Sequence, residues 1–151
     1  KKMFEQDDER DLEITEKALS MVGMQGTEER SFLSLSGGEK QRIYLAMAFA
    51  QESSLIILDE PTNHLDIGYQ LYIMEIMRQF EDKTIFTSVH DMNLAARYCD
   101  RVILLQKGKI IANGTPEEVL TVERIRSVFH VNTEIEKKNG VLNITYLGWT
   151  K

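Results

Sequence analysis

Asp59 and Glu60 close a continuous apolar run, Leu55-Ile56-Ile57-Leu58. Such a run reads as a strand covered on both faces, and in an open α/β sheet ligands gather beyond the carboxyl ends of the strands. One acid in that place can hold a divalent ion such as Mg²⁺ through water, while its neighbour orients or deprotonates a nucleophilic water. An acidic exit from a strand ahead of Pro61 would look the same. Upstream, Ser36-Gly37-Gly38 leads into an apolar-periodic stretch. Two glycines let backbone approach a ligand without Cβ interference, and a helix starting there points its free amides and positive dipole end at an anion, most simply a phosphate. The plainer alternative is a capping box, Ser36 with Glu39, and a flexible lead-in. His90 ends the next β-branched run; it could donate to a phosphate oxygen, pair with a general base, or serve structure alone. Asp91 behind it suits a helix N-cap.

The elements that must position these residues follow from periodicity and punctuation. Residues 7–22 read as a helix with Leu12, Ile14, Ala18, Leu19 and Val22 on its apolar face, ended by Gly23 and Gly26. A second helix covers 38–51, with Ile43, Leu45, Ala46, Phe49 and Ala50 as core. Strand 55–58, helix 66–80 (Leu71, Ile73, Met74, Ile76, Met77, Phe80), strand 84–89 and helix 91–98 alternate after it. Strand 101–105 turns at Gln106-Lys107-Gly108-Lys109 into 110–112, and Asn113-Gly114 reads as another turn. Thr115-Pro116-Glu117-Glu118 is a second capping box with proline at the first helical position. Short helices fill 116–129, and a hairpin turning at Asn139-Gly140 spans 131–147. Strand–helix alternation in the middle predicts an α/β fold with a mostly parallel sheet.

The totals bound the partners. The chain has 151 residues, enough for one domain with a core, and a net charge of −6, which disfavours nucleic acid. The single cysteine, Cys99, excludes an intramolecular disulfide and reads as packing in a reducing compartment. No apolar run reaches the length of a membrane span and no signal peptide is visible. The sequence opens Lys1-Lys2-Met3-Phe4, without an initiator methionine at its first position, which is compatible with a cut from a longer protein.

Taken in order, these pieces closely resemble the ATP-binding-cassette (ABC) ATPases. Leu35–Arg42 (LSGGEKQR) is similar to their signature motif, with Glu39 where many members have Gln. Leu55–Glu60 is similar to their Walker B strand, Asn63–Asp66 to their D-loop, and His90 to their switch histidine. Asp59–Asp66 (DEPTNHLD) and His90–Leu105 (HDMNLAARYCDRVILL) resemble, more finely, the ATPase subunits of bacterial importers for iron-siderophores, haem and cobalamin. The resemblance implies the C-terminal portion of a P-loop NTPase nucleotide-binding domain: a parallel sheet flanked by helices, plus part of the helical subdomain. It divides the chain into a signature-bearing helical portion (1–50), an α/β core portion (51–130) and a C-terminal β-hairpin (131–151).

The resemblance also implies roles and partners. The cofactors would be ATP and Mg²⁺. Asp59 would support Mg²⁺, Glu60 would be the catalytic base, and His90 would sense the γ-phosphate. Ser36, Gly37 and Gly38, with Glu39 beside them, would meet ATP held by the opposite subunit, and Asp66 would couple the two active sites. Partners would be a second nucleotide-binding subunit, transmembrane permease subunits, and a periplasmic or lipoprotein substrate-binding protein, at the cytoplasmic face of a bacterial membrane.

No Gly-x-x-x-x-Gly-Lys-Ser/Thr loop occurs in the sequence. In the family that Walker A loop supplies most of the grip on the β- and γ-phosphates. Its strand lies inside the sheet, between the strand ending at His90 and the strand 101–105. The expectation is therefore a chain with negligible ATPase activity by itself and a gap bordered by unpaired backbone. An alternative reading is a non-catalytic fragment that docks with, or complements, an intact ABC subunit. ABC ATPases of chromosome maintenance and DNA repair are disfavoured by the acidic balance and by the absence of long heptad segments.

Overall fold

The computed structural model describes residues 9–150 and divides into two units, one ending at Ser88 and one beginning at Val89. The first two positions of the predicted opening helix, Asp7 and Asp8, lie outside the described residues.

In the first unit, α1 (Glu9–Met21) packs against α2 (Gly37–Ala50). Only the C-terminal half of the predicted apolar face of α1 is buried: Ala18, Leu19 and then Val22 and Met24 are inside, while Leu12 is exposed. Helix α2 buries Leu45, Ala46 and Phe49, and Ile43 and Ala50 are half-buried. Strand β1 (Leu55–Leu58) pairs in parallel with β2 (Thr84–Thr87), in register from Leu55 opposite Thr84 to Leu58 opposite Thr87. Helix α3 (Ile67–Arg78) connects them and buries Ile73, Met74, Ile76 and Met77, an apolar stripe at helical spacing. Phe80, just past α3, meets Phe49 at a ring-centroid distance of 5.0 Å.

The expectation that β1 is covered on both faces is not met. Ile56 is buried, but Leu55 is 50% and Ile57 is 70% exposed, and Phe86, opposite Ile57 on β2, is 54% exposed. Alternation along a strand sends these three side chains to the same face. An apolar run thus records a face suited to burial, which the elements of this unit do not themselves cover.

In the second unit, α4 (Met92–Tyr98) precedes the hairpin β3 (Val102–Gln106) and β4 (Lys109–Gly114). Lys107 and Gly108 form the two-residue turn with φ of 49° and 74°, the paired positive values that match strand twist. Helices α5 (Pro116–Val119) and α6 (Val122–Phe129) follow, then the hairpin β5 (Val131–Lys138) and β6 (Val141–Trp149), turned by Asn139 and Gly140 at φ of 52° and 82°. Leu104, Val119, Leu120, Ile125 and Ile144 form the core of this unit, so both hairpins and the helices between them share one apolar centre. Burial, with Asp100 next to it, pushes the Cys99 thiol up from its ordinary range.

Two expectations change here. Asn113-Gly114 is the end of β4 rather than a turn, with Gly114 opposite Val102. A Cβ there would come within 2.5 Å of the Glu118 carboxylate, which folds back to cap Thr115, so a larger residue would have to displace that cap. Among the described residues, parallel pairing is confined to β1 and β2; β3–β4 and β5–β6 are antiparallel two-stranded sheets. Among the described residues, β2 pairs only with β1, and β3 only with β4.

Candidate functional site

The capping box that opens α2 is formed on both sides. Ser36 Oγ accepts from the Glu39 N–H at 3.3 Å, and Glu39 Oε2 accepts from the Ser36 N–H at 2.8 Å. Arg30 Nη1 donates to the other Glu39 oxygen at 2.7 Å. The Ser36 amide and the Arg30 guanidinium together hold the Glu39 carboxyl down to about 2 from its ordinary 4.5. Gly37 and Gly38 occupy the first turn, where helix geometry leaves amides without an intrahelical acceptor. A Cβ on Gly37 would meet nothing within 4 Å, so this approach to the helix end is open. A Cβ on Gly38 would touch Leu65 Cδ2 at 3.6 Å and the His64 carbonyl at 3.8 Å, which places the helix start against the 63–66 loop.

Asp59 and Glu60 stand just past the carboxyl end of β1, where the sequence places them. Glu60 has a φ of 48°, a left-handed conformation that costs a residue with a side chain about 1–3 kcal/mol and persists only when its surroundings fix it. They do. The Glu60 N–H donates to Ser88 Oγ at 2.7 Å. Its carbonyl accepts from the Asn63 N–H at 3.1 Å and from Gln41 Nε2 at 3.4 Å. Its carboxylate accepts from Asn63 Nδ2. Asp59 Oδ1 accepts from Ser88 Oγ at 2.7 Å. Gln41 lies on α2, so the helix that Ser36 caps also holds the backbone of Glu60. A cavity of about 290 Å³ lies beside Asp59, lined by Gln41, Tyr44, Leu45, Ala48, Ile57, Leu58, Asp59 and Pro61.

Asp66 is the N-cap of α3 and accepts from the Tyr69 N–H at 3.1 Å. Gln70, one turn on, donates to the carbonyls of Thr62 and Leu65 at 3.3 Å and 3.1 Å, closing the loop between Pro61 and Asp66. Arg42 stacks over the Tyr69 ring at 4.3 Å, a second tie between α2 and the start of α3. The first unit thus brings together Ser36, Gly37, Gly38, Glu39, Asp59, Glu60 and Asp66 on connected loops. His90 belongs to the second unit, exposed in the segment ahead of α4. Asp91 caps that helix, accepting from Asn93 N–H at 2.7 Å and Leu94 N–H at 3.3 Å.

Among the described residues, no three His, Cys, Asp or Glu side chains gather as metal ligands would. A lone strand-end carboxylate still fits Mg²⁺, which takes one or two protein carboxylates and completes its shell with water and phosphate oxygens.

Sequence reasoning missed Ser88, Gln41, Asn63 and Arg30 as partners of the site residues. Gln41 sits on the helical face that also carries Leu45, which is a weak signal. Ser88 lies beyond β2, and its link to Asp59 needs the strand pairing to be known.

Residues 1–63 match the ABC transporter family. The chain is 43% identical over 128 residues to the petrobactin import ATP-binding protein FpuC of Bacillus anthracis, across 83% of this chain and 47% of that one. It is 42% identical to the hemin import ATP-binding protein HmuV of Pseudomonas putida, covering 84% of this chain and 52% of that protein. With the cobalamin import ATP-binding protein BtuD of Halobacterium salinarum the identity is 35%, over 91% of this chain and 36% of the relative. The chain therefore spans about half or less of the length of these curated relatives. Among solved structures, an inward-facing ABC transporter superposes with a TM-score of 0.82 at 27% identity, covering 97% of this chain and 61% of that one. The cbiO1 protein of Clostridium perfringens, part of an ABC transporter complex, superposes at 0.67 and 27% identity, over 83% and 51% of the two chains.

Proposed function

We propose that the chain, which is similar to ABC transporter ATP-binding proteins over about half of their length, supplies the signature loop and the hydrolytic acids of an importer ATPase for an iron-siderophore, haem or cobalamin. The observation that carries this reading is the pair Asp59 and Glu60 at the end of a parallel strand, fastened by Gln41 to the helix whose N-terminus Ser36 caps.

In this reading Glu60 accepts a proton from the attacking water, its backbone held in one conformation by Ser88, Asn63 and Gln41 so that the carboxylate keeps a fixed origin. Asp59 would hold Mg²⁺, which would supply charge neutralisation for the phosphates of ATP. Gly37 and Gly38 present first-turn amides to a γ-phosphate, and Ser36 frames that turn. Glu39 acts through its hold on Ser36, because its oxygens are engaged by the Ser36 amide and by Arg30. His90, in the second unit, would have the role its match to the family's switch histidine implies, donation to a γ-phosphate. Asp66 anchors the loop that touches Gly38, the route by which one site would be sensed by the other.

ATP would be held by the Walker A loop of a full-length subunit, in a dimer seated on permease subunits at the cytoplasmic face of a membrane and served by a substrate-binding protein. Among the described residues no helix is long and apolar enough to cross a membrane, which fits a subunit that meets the bilayer through others. The test is Glu60→Gln in the full-length subunit. ATP binding should persist while hydrolysis falls by about a hundredfold or more, the usual contribution of a general base. Hydrolysis at the parental rate would remove Glu60 from this role.

A second reading, a non-catalytic fragment that docks on an intact subunit, is favoured by one feature, the uncovered apolar face of Leu55, Ile57 and Phe86. Mixing the chain with a full-length subunit and following ATPase rate separates the two.

A further inference from the structure

Ser88 is the last residue of the first unit, just beyond β2, and makes two short side-chain hydrogen bonds. Its hydroxyl donates to Asp59 Oδ1 at 2.7 Å and accepts from the Glu60 N–H at 2.7 Å. The directions are fixed by chemistry: an ionised carboxylate only accepts and an amide N–H only donates, so the one hydroxyl proton must point at Asp59. The Ser88 N–H also donates to the Leu58 carbonyl at 3.1 Å. One residue therefore holds three consecutive positions at the end of the neighbouring strand: the backbone of Leu58, the side chain of Asp59 and the backbone of Glu60.

We propose that Ser88 is a positioning residue of the hydrolytic site, whose hydroxyl fixes the Asp59 carboxylate and the Glu60 main chain relative to each other. The inference rests on the roles proposed above for Asp59 and Glu60. Glu60 is the position at which such a clamp matters, because its left-handed backbone, at a φ of 48°, relaxes unless it is held. A carboxylate has two equivalent oxygens and rotates freely when neither is engaged. Anchoring Oδ1 leaves Oδ2 in a defined direction for the metal side. Ser88 touches neither nucleotide nor water in this scheme and acts through the two acids.

The experiment uses the full-length subunit that carries this sequence, reconstituted with its membrane partners, as Ser88→Ala, Ser88→Thr and Glu60→Gln. Ser88→Ala should lower kcat about tenfold or more while moving the KM for ATP by less than about twofold, the pattern of lost transition-state alignment rather than lost binding. It should also raise the Mg²⁺ concentration needed for half-maximal rate, which a purely structural defect would not do. Ser88→Thr, which keeps the hydroxyl, should restore both. Three results overturn the proposal: an unchanged kcat in Ser88→Ala, a loss that threonine does not rescue, or a loss that tracks a fall in melting temperature with an unchanged Mg²⁺ requirement. Full hydrolysis in Glu60→Gln overturns the reading beneath it as well, whereas full hydrolysis in Ser88→Ala alone overturns only the clamp.

Discussion

Asn93 binds the backbone of Ile144 as a neighbouring strand would: its Nδ2 donates to the Ile144 carbonyl at 3.1 Å, and its Oδ1 accepts from the Ile144 N–H at 2.7 Å. Asn93 sits in the first turn of α4, on the helix that Asp91 caps directly after His90. Ile144 is buried in the core of the second unit, so its backbone polar groups cannot fall back on water. Tyr146 adds to the same junction. Its phenol is pushed up chiefly by burial and then by Asp91, with a hydrogen bond at Met92 working against them. The C-terminal hairpin is therefore fastened to the segment that carries His90. Asn93→Ala should destabilise the second unit by about 1–3 kcal/mol, the usual penalty for a part-buried polar group left without its partner. Hydrogen exchange at the Ile144 amide should accelerate accordingly in the full-length subunit. An equally protected Ile144 amide in the variant would show that this pair carries no weight.

The Glu39 carboxyl supplies a pH dependence of known sign. Its folded value of about 2 lies below the ordinary 4.5, so the folded state prefers the ionised form. The stability it contributes is fully present above 4.5 and disappears as pH falls through about 2. Chemical denaturation followed from neutral pH into that window should show a progressive loss in the parent. In Glu39→Gln that part of the loss should be missing, and the variant should already be less stable at neutral pH, because Arg30 loses its ion pair. Parallel curves for parent and variant across the acid range would contradict the assignment.

How much of this was legible from the sequence follows the distance over which each interaction acts. Helix starts were legible because a cap and its target lie within one turn: Ser36 with Glu39, Thr115 with Glu118, and Asp91 with the amides of Asn93 and Leu94. The two hairpin turns were legible because glycine, with Lys107 or Asn139 before it, meets the positive φ they require. Ser88 was not legible, since it reaches Asp59 and Glu60 only after β1 and β2 have paired. The left-handed backbone of Glu60 was hidden for another reason: nothing in a Glu-Pro pair announces it, and its supports come from Ser88, Asn63 and Gln41. Hydropathy located β1 correctly but misjudged its cover, because it registers what a side chain prefers and not what lies over it.

That uncovered face yields the last prediction. Leu55, Ile57 and Phe86 form one apolar surface across β1 and β2, with Ile57 directly opposite Phe86. A contiguous patch of this kind on a separate chain invites association, and β2, which among the described residues pairs with β1 alone, leaves its other edge as a template for a further strand. As a separate polypeptide, the 151-residue chain should self-associate, bind an apolar dye, and show negligible ATP binding, since it contains no Walker A sequence. Replacing Ile57 and Phe86 with threonine keeps β-propensity while removing the apolar surface. In the separate chain this double change should reduce dye binding and self-association. In the full-length subunit it should have the opposite consequence, lowering the melting temperature, because burying the two side chains there contributes about 1.5–3 kcal/mol each. Opposite effects in the two contexts would mark the face as one that the rest of a nucleotide-binding domain covers. A well-behaved monomer with micromolar ATP affinity, or a full-length subunit indifferent to both substitutions, would refute that.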